Sequence, residues 1–213
     1  DFEFDLPSLS EQQVLAEKLW AAYNLKESYK KMIEATDEMV KSRFIEMFGK
    51  CKKYMPLSEV AKEVFAGGDK PKDYSDVKTE LYIYPVFSNG IEENGLLCYA
   101  KDYKVAEPSI TISARGTIGF VAIRKPYYTP VVRLIAIIPN DNVDLTFLYY
   151  ALQQVRFENT GAVQGQLTLP TLKRTEIPVP SIDEQKQFSA IVQQADKSKF
   201  ELREAIKRVE SMM

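Results

Sequence analysis

The phrase Pro7-Ser8-Leu9-Ser10-Glu11-Gln12 returns near the other end of the chain as Pro180-Ser181-Ile182-Asp183-Glu184-Gln185, displaced by 173 residues (180 minus 7), with four of six positions identical. A proline discourages helix before it, a Ser or Asp oxygen can accept a free amide of the first turn, and a carboxylate suits the positive end of the helix dipole. Ser10 and Asp183 are the expected N-caps, with Glu11 and Glu184 in the first turns, so each phrase opens a helix.

The residues after each phrase keep the same beat. Leu15, Leu19, Ala22, Lys26, Tyr29, Ile33, Thr36 and Val40 advance by alternating steps of 4 and 3, which is a heptad seam. Phe188, Val192, Ala195, Lys199, Leu202, Ile206, Val209 and Met213 fall at the same displacement, so even the charged interruption recurs, Lys26 answering Lys199. The first helix is expected to run to Phe48, with Gly49 as its cap, about 38 residues and ~57 Å at 1.5 Å per residue. A rod of that length outruns the core of one small domain, so a coiled-coil arm is the economical reading. Two amphipathic helices of an ordinary bundle are the competing one.

The middle has different punctuation. Gly67-Gly68 and Pro71 mark a loop, Leu81 to Phe87 alternates like a strand, and Ser88-Asn89-Gly90 reads as a turn. Ile118–Ile123 and Val131–Ile138 are β-branched runs on either side of the loop at 125–130, and read as a pair of strands joined by a proline-bounded connection. Asp144 can cap a helix whose apolar Leu145, Leu148, Leu152 and Val155 share a face. The expected fold class is therefore α+β: a long helix at 1–50, a globular mixed domain at 51–180, and a second long helix at 181–213.

Composition narrows the chemistry. The sequence has no histidine, which removes the usual general base of Ser or Cys hydrolases and the common zinc and haem ligand sets. Cys51 and Cys98 fit no metal-binding spacing and are expected as free thiols. No apolar run approaches the roughly 18 residues of a membrane span, and the acidic start DFEFD is unlike a secretory signal, so a cytoplasmic location is expected. A formal charge of −2 gives no net support for nucleic-acid binding, which would have to come from the arrangement of charge on one face.

The order of these parts, taken with three motifs, resembles the DNA-specificity subunit of type I restriction-modification enzymes, over nearly the whole chain. Phe44-Ile45-Glu46-Met47-Phe48-Gly49 looks like the end of that family's first conserved helix. Gln164-Gly165-Gln166-Leu167-Thr168, Leu172-Lys173 and Ile177-Pro178-Val179-Pro180 look like the end of a target recognition domain. The resemblance implies helices paired as an antiparallel coiled coil through Leu15, Leu19, Ala22, Tyr29, Ile33, Val40, Phe188, Val192, Ala195, Leu202, Ile206 and Val209. It implies a recognition domain that reads one half of a split DNA site, with the rod fixing the gap between halves. Phe4-Asp5-Leu6-Pro7 echoes Ile177-Pro178-Val179-Pro180. The chain is accordingly expected to be either the later half of a longer subunit or a half-subunit that completes itself with a second copy.

Base edges are read best by Arg, Gln and Asn, while lysines and hydroxyls mostly hold phosphate. The loops offer Lys70, Lys72, Ser88, Asn89, Arg115, Thr117, Arg124, Lys125, Tyr127 and Tyr128 as DNA-contacting candidates, with Gln164, Gln166, Thr168 and Lys173 in the glycine-spaced segment and just after it. Arg115, beside Gly116 and between β-branched stretches, stands out. Bland readings run beside these. A single lysine is more often a solvated charge, Tyr127 and Tyr128 serve equally to close the core, and the glutamine segment positions backbone as readily as it reads bases.

The chain lacks an Asn-Pro-Pro-Tyr or Asp-Pro-Pro-Tyr motif, a methyl-donor glycine loop and a GxxxxGK[ST] loop, so no catalytic role is expected of it. By resemblance, S-adenosylmethionine, magnesium and ATP belong to partner modification and restriction subunits. Two other readings stay open: a coiled-coil adaptor whose middle domain binds protein, and the specificity part of a fused restriction-methylation enzyme.

Overall fold

The computed structural model describes residues 6–155, 157 and 167–213, and divides into two compact units, Asp1–Ile45 with Ala190–Met213, and Glu46–Ser189. The long helices are α1 (Leu9–Phe48) and α5 (Ile182–Met212).

Both open on the same device, and it corrects the expected caps. Ser8 precedes α1, its hydroxyl and backbone amide both donating to the Glu11 carboxylate at 2.7 and 2.8 Å, while Glu11 N–H returns to Ser8 Oγ at 3.4 Å. Ser181 and Glu184 repeat this before α5 at 2.7, 2.9 and 3.4 Å. The caps are therefore Ser8 and Ser181, two residues earlier than Ser10 and Asp183, because a serine three positions before a glutamate closes a reciprocal capping box. The glutamine that ends each phrase donates back to the proline carbonyl, Gln12 to Pro7 at 2.7 Å and Gln185 to Pro180 at 3.0 Å.

Within the helical unit the rods run antiparallel. Lys199 Nζ lies 2.7 Å from Asp37 and 2.8 Å from Asp196, and Lys26 lies 3.5 Å from Glu210. These cross-helix pairs are related by the sequence repeat, since Lys26 becomes Lys199 and Asp37 becomes Glu210 at the same displacement of 173 (199 minus 26, 210 minus 37). The pair of helices thus carries a pseudo-two-fold relation. Ala22, Tyr29 and Ile33 are partly sheltered and Val40 is buried; on α5, Val192, Ala195 and Val209 are buried and Leu202 and Ile206 partly so. Leu15 and Leu19 are 54% and 36% exposed. With Lys26 opposite Glu210, the antiparallel register places the first turns of α1 past the last residue of α5.

Among the described residues the globular unit holds three sheets. Strands β1 (Tyr54–Pro56) and β9 (Glu176–Pro178) pair antiparallel, with the short helix α2 (Leu57–Val60) following β1. A four-stranded antiparallel sheet takes the order β2 (Ala61–Ala66), β8 (Ile135–Pro139), β5 (Ser109–Ile112), β6 (Val121–Arg124). The third sheet sets β3 (Tyr84–Phe87) between β4 (Leu96–Ala100) and the short β7 (Thr129–Pro130), parallel to the latter. The expected strand at Leu81–Phe87 is shorter, and Leu81 is exposed. The two β-branched runs are strands but do not pair with each other: β5, whose four residues are all buried, lies between them. A strand covered on both faces shows no alternation, which is why the sequence did not mark it.

Helix α3 (Leu145–Gln154) is capped as expected, Asp144 Oδ1 accepting from Phe147 N–H at 2.9 Å. The repeated glutamine fixes that cap. Gln185 Oε1 accepts the Asp144 N–H at 2.8 Å, and the Ser189 hydroxyl donates to Asp144 Oδ1. Around it Phe48 meets Phe147 and Phe188 edge-on at 5.0 and 5.8 Å, and Tyr150 meets Phe188 at 5.1 Å, each such pair worth about 0.5–1.5 kcal/mol beyond area burial. Cys51 and Cys98 are free thiols, and burial pushes Cys98 above its usual range.

Candidate nucleic-acid interface

Three loops of the globular unit are tied together by one side chain. Asn89 donates through Nδ2 to the Val132 carbonyl at 2.6 Å and accepts the Ala114 N–H on Oδ1 at 2.9 Å. Ser88 N–H closes the first loop onto Gly95 at 2.8 Å. The sequence put Asn89 forward as a base reader, but both ends of its amide are spent on backbone. Its role is to hold the 113–119 loop, with exposed Arg115, beside the turn at 131–134. Gly116, at φ +66, has nothing within 4 Å of where a Cβ would be, so the space on that side of Gly116 is open among the described residues. Ser113 Oγ and Thr117 Oγ1, on the same loop, are buried without a hydrogen-bond partner among the described residues.

The turn at 131–134 went unread in the sequence because it was merged into the strand beginning at Val131. Val132 and Arg133 have φ values of +52° and +62°, and Leu134 N–H bonds to the Val131 carbonyl at 3.0 Å. Two left-handed central residues make a primed type of turn, although β7 and β8 on either side belong to different sheets; such a turn ordinarily advertises itself with Asn-Gly, and a β-branched residue there costs about 1–3 kcal/mol. No Asn, Asp or Gly marked the spot.

Two of the sequence candidates are withdrawn by burial. Arg124 is buried, with Nε donating to Thr111 Oγ1 at 2.8 Å, a terminal nitrogen to the Asn94 carbonyl at 2.6 Å, and its guanidinium carbon 3.8 Å from the centre of the Phe87 ring. Burial pulls its pKa down to about 10, so it stays charged at neutral pH. It pins the strained turn at Glu93-Asn94, both at positive φ, rather than facing solvent. Tyr128 is fully buried and shares a 2.8 Å hydrogen bond with Ser109, and burial pushes its hydroxyl up to about 12. The core reading of that tyrosine prevails.

The remaining candidates are scattered. Tyr127, at φ +67°, is half exposed and meets Tyr103 edge-on at 4.9 Å and Tyr84 at 6.4 Å. Lys72 lines a groove with Lys101, Tyr103 and Lys104, while the Lys70 ammonium sits 3.3 Å above the Tyr74 ring. Lys125 is exposed and borders a second groove with Lys78, Glu93 and Tyr99. Ser88 is half-buried. Gln164 and Gln166 lie outside the described residues, but the residues flanking them meet the Arg115 loop: Leu167 N–H donates to the Ala114 carbonyl at 3.0 Å, and a Cβ on Gly119 would lie 3.0 Å from the Phe157 ring. Thr168 caps α4 (Leu169–Lys173) through Thr171 N–H at 3.3 Å, and Lys173 is half-buried in its last turn. Thr168 is exposed even as it caps the helix.

Comparison with known proteins places this geometry. A putative type I specificity subunit of Mycoplasma pneumoniae is 44% identical over 140 residues, 66% of this chain and 42% of that protein. A second from the same organism is 39% identical over 138 residues, covering 65% and 38%. The fold matches the S subunit of a type I restriction-modification system from M. genitalium with TM-score 0.70 at 16% identity, over 96% of this chain and 59% of that one. It matches an HsdS subunit from Thermoanaerobacter tengcongensis with TM-score 0.61 at 20% identity, over 97% and 57%. The chain thus spans less than two thirds of the length of these relatives. Residues 52–210 match the family described as the type I restriction modification DNA specificity domain, and the chain belongs to that family.

Proposed function

We propose that this chain supplies sequence specificity, without chemistry of its own, to a type I restriction-modification enzyme by reading one half of a bipartite DNA site. The family match over residues 52–210 carries this reading, and the Asn89-clamped loops, one of them carrying the exposed Arg115, supply a rigid platform suited to DNA. Modification subunits dock on the helices and bring S-adenosylmethionine, and restriction subunits bring ATP and magnesium. The antiparallel rod acts as a ruler: removing two turns from each helix moves the reading heads by ~11 Å, or about three base pairs at 3.4 Å each.

The open first turns of α1 fit the same scheme. Gln12, Leu15 and Leu19 correspond by the repeat to Gln185, Phe188 and Val192. Where Gln185 fixes the Asp144 cap, Gln12 makes its backbone bond to Pro7 with its surroundings exposed. A second recognition domain, from the same subunit or another copy, seats there.

The test is co-expression with the cognate modification subunit, followed by a salt series of gel shifts and mapping of methylated adenines. DNA affinity that falls steeply with salt, and methylation at a split site whose spacer shortens with the rod, are expected. Equal affinity at all salt concentrations and no targeted methylation would favour a protein-binding adaptor.

A further inference from the structure

The turn Val131–Leu134 is over-determined from the inside. Val132 N–H bonds to the Gly68 carbonyl at 2.8 Å, Arg133 N–H to the Gly67 carbonyl at 3.2 Å, Gly67 N–H to the Leu134 carbonyl at 2.8 Å, and Asn89 holds the Val132 carbonyl. Gly67 is obligatory, since a Cβ there would stand 2.4 Å from the Pro130 carbonyl oxygen. The backbone of the turn is therefore held by the neighbouring loops. Only the two side chains are left outward, Val132 half exposed and Arg133 exposed.

Asn-Gly would make this turn without strain. A valine and an arginine at left-handed φ give up that ease, and strain of this kind persists where the side chains themselves are used. Their chemistry is complementary: an arginine fork pairs with guanine O6 and N7 or with phosphate, and an aliphatic group suits a thymine methyl. The same Asn89 amide sets Arg133 and Arg115 one residue from its two bonds, so two arginines are presented from one rigid clamp.

From this, and resting on the DNA-reading role above, we infer that the Val132-Arg133 tip is a DNA-contacting finger, with Arg133 a recognition residue beside Arg115. The tip enters a groove of the duplex, Arg133 bonding a base edge or the adjoining phosphate while Val132 packs on the bases or sugar next to it.

The experiment uses the full chain assembled with its modification subunits and duplex DNA containing the mapped site. Replacing Val132→Asn together with Arg133→Gly gives the unstrained turn. The expected result is an unchanged or raised melting temperature with site affinity lowered at least about tenfold. Arg133→Ala, which keeps the Val132 backbone, separates the contacts. A loss of about 5- to 150-fold confined to one base position marks base reading, and a uniform loss with the salt slope reduced by about one marks a phosphate contact; either supports the finger. Wild-type affinity and an unchanged methylation site in both variants would overturn it. A wild-type assembly that shows no salt-sensitive DNA binding would sink the underlying reading instead.

Discussion

Lys199 on α5 donates to Asp37 on α1 across 2.7 Å, and its repeat-related counterpart Lys26 faces Glu210 at 3.5 Å. Lys199 is buried on an otherwise apolar seam, with Asp196 as a second acceptor. A charge on such a seam costs stability but selects one register and direction, because a slip takes away its cross-helix partner Asp37 and leaves it only Asp196 on its own helix.

Lys199→Ala is expected to lower stability by about 1–2 kcal/mol, between the values for exposed and fully buried pairs, since Asp37 is about half exposed. Lys199→Met should recover most of that while loosening the register. Urea denaturation measures the first effect, and spin-label distances between the helices measure the second. Burial opposes the Lys199 charge, but the hydrogen bonds to Asp196 and Asp37 outweigh it and hold the pKa above that of an ordinary lysine. The lysine's share of the pair is thus complete at neutral pH and is lost as pH rises through that raised pKa.

The same glutamine at both ends of the repeat provides an internal control. Gln185 is 1% exposed and its loss leaves the Asp144 N–H unpaired, so Gln185→Ala should cost about 1–3 kcal/mol. Gln12→Ala, in the more exposed copy, should change stability by no more than about 0.5 kcal/mol. Parallel denaturation curves of the two variants check the contrast.

The capping boxes titrate. The Ser8 and Ser181 hydroxyls, aided by the backbone amides of the same residues, hold Glu11 and Glu184 below the usual carboxylate range. A depressed carboxylate contributes fully above its unfolded pKa, near 4.5, and the contribution disappears as pH falls through the folded value. The acid branch of a helicity titration should therefore be shallower in Glu184→Gln than in the wild type, read by circular dichroism between neutral pH and the acid limit.

Arg124 and Tyr128 should behave as core residues. Tyr128→Phe leaves the Ser109 hydroxyl unpaired and is expected to cost about 1–2 kcal/mol; Arg124→Met strands Thr111 Oγ1 and the Asn94 carbonyl and is expected to cost about 2–3 kcal/mol. Thermal denaturation should register both. The salt slope of DNA binding should stay unchanged, whereas Arg115→Ala is expected to lower it by about one or to relax one base position.

The helices were legible in the sequence because periodicity, proline and a first-turn carboxylate are local signals, and the Asp144 cap was legible for the same reason. The displaced cap at Ser8 shows the limit: Ser8 and Ser10 are chemically equal, and only the Glu11 carboxylate three positions on separates them. Strand β5 escaped because a covered strand loses its alternation. Arg124 looked like a surface charge because nothing nearby in sequence foretells Thr111, Asn94 and Phe87 gathering around it. Asn89 looked like a reader because its two backbone partners lie 25 and 43 residues away.

An exchange of α1 for α5 carries each charged pin of the rod onto the other, Lys26 with Glu210 onto Lys199 with Asp37. Between its two pins such a rod bears no arrowhead: read from α1 or from α5, a seam lysine meets an acidic partner eleven residues on in the repeat. What distinguishes one direction along the described chain is then the stretch between the two copies of the repeat, residues 41–179.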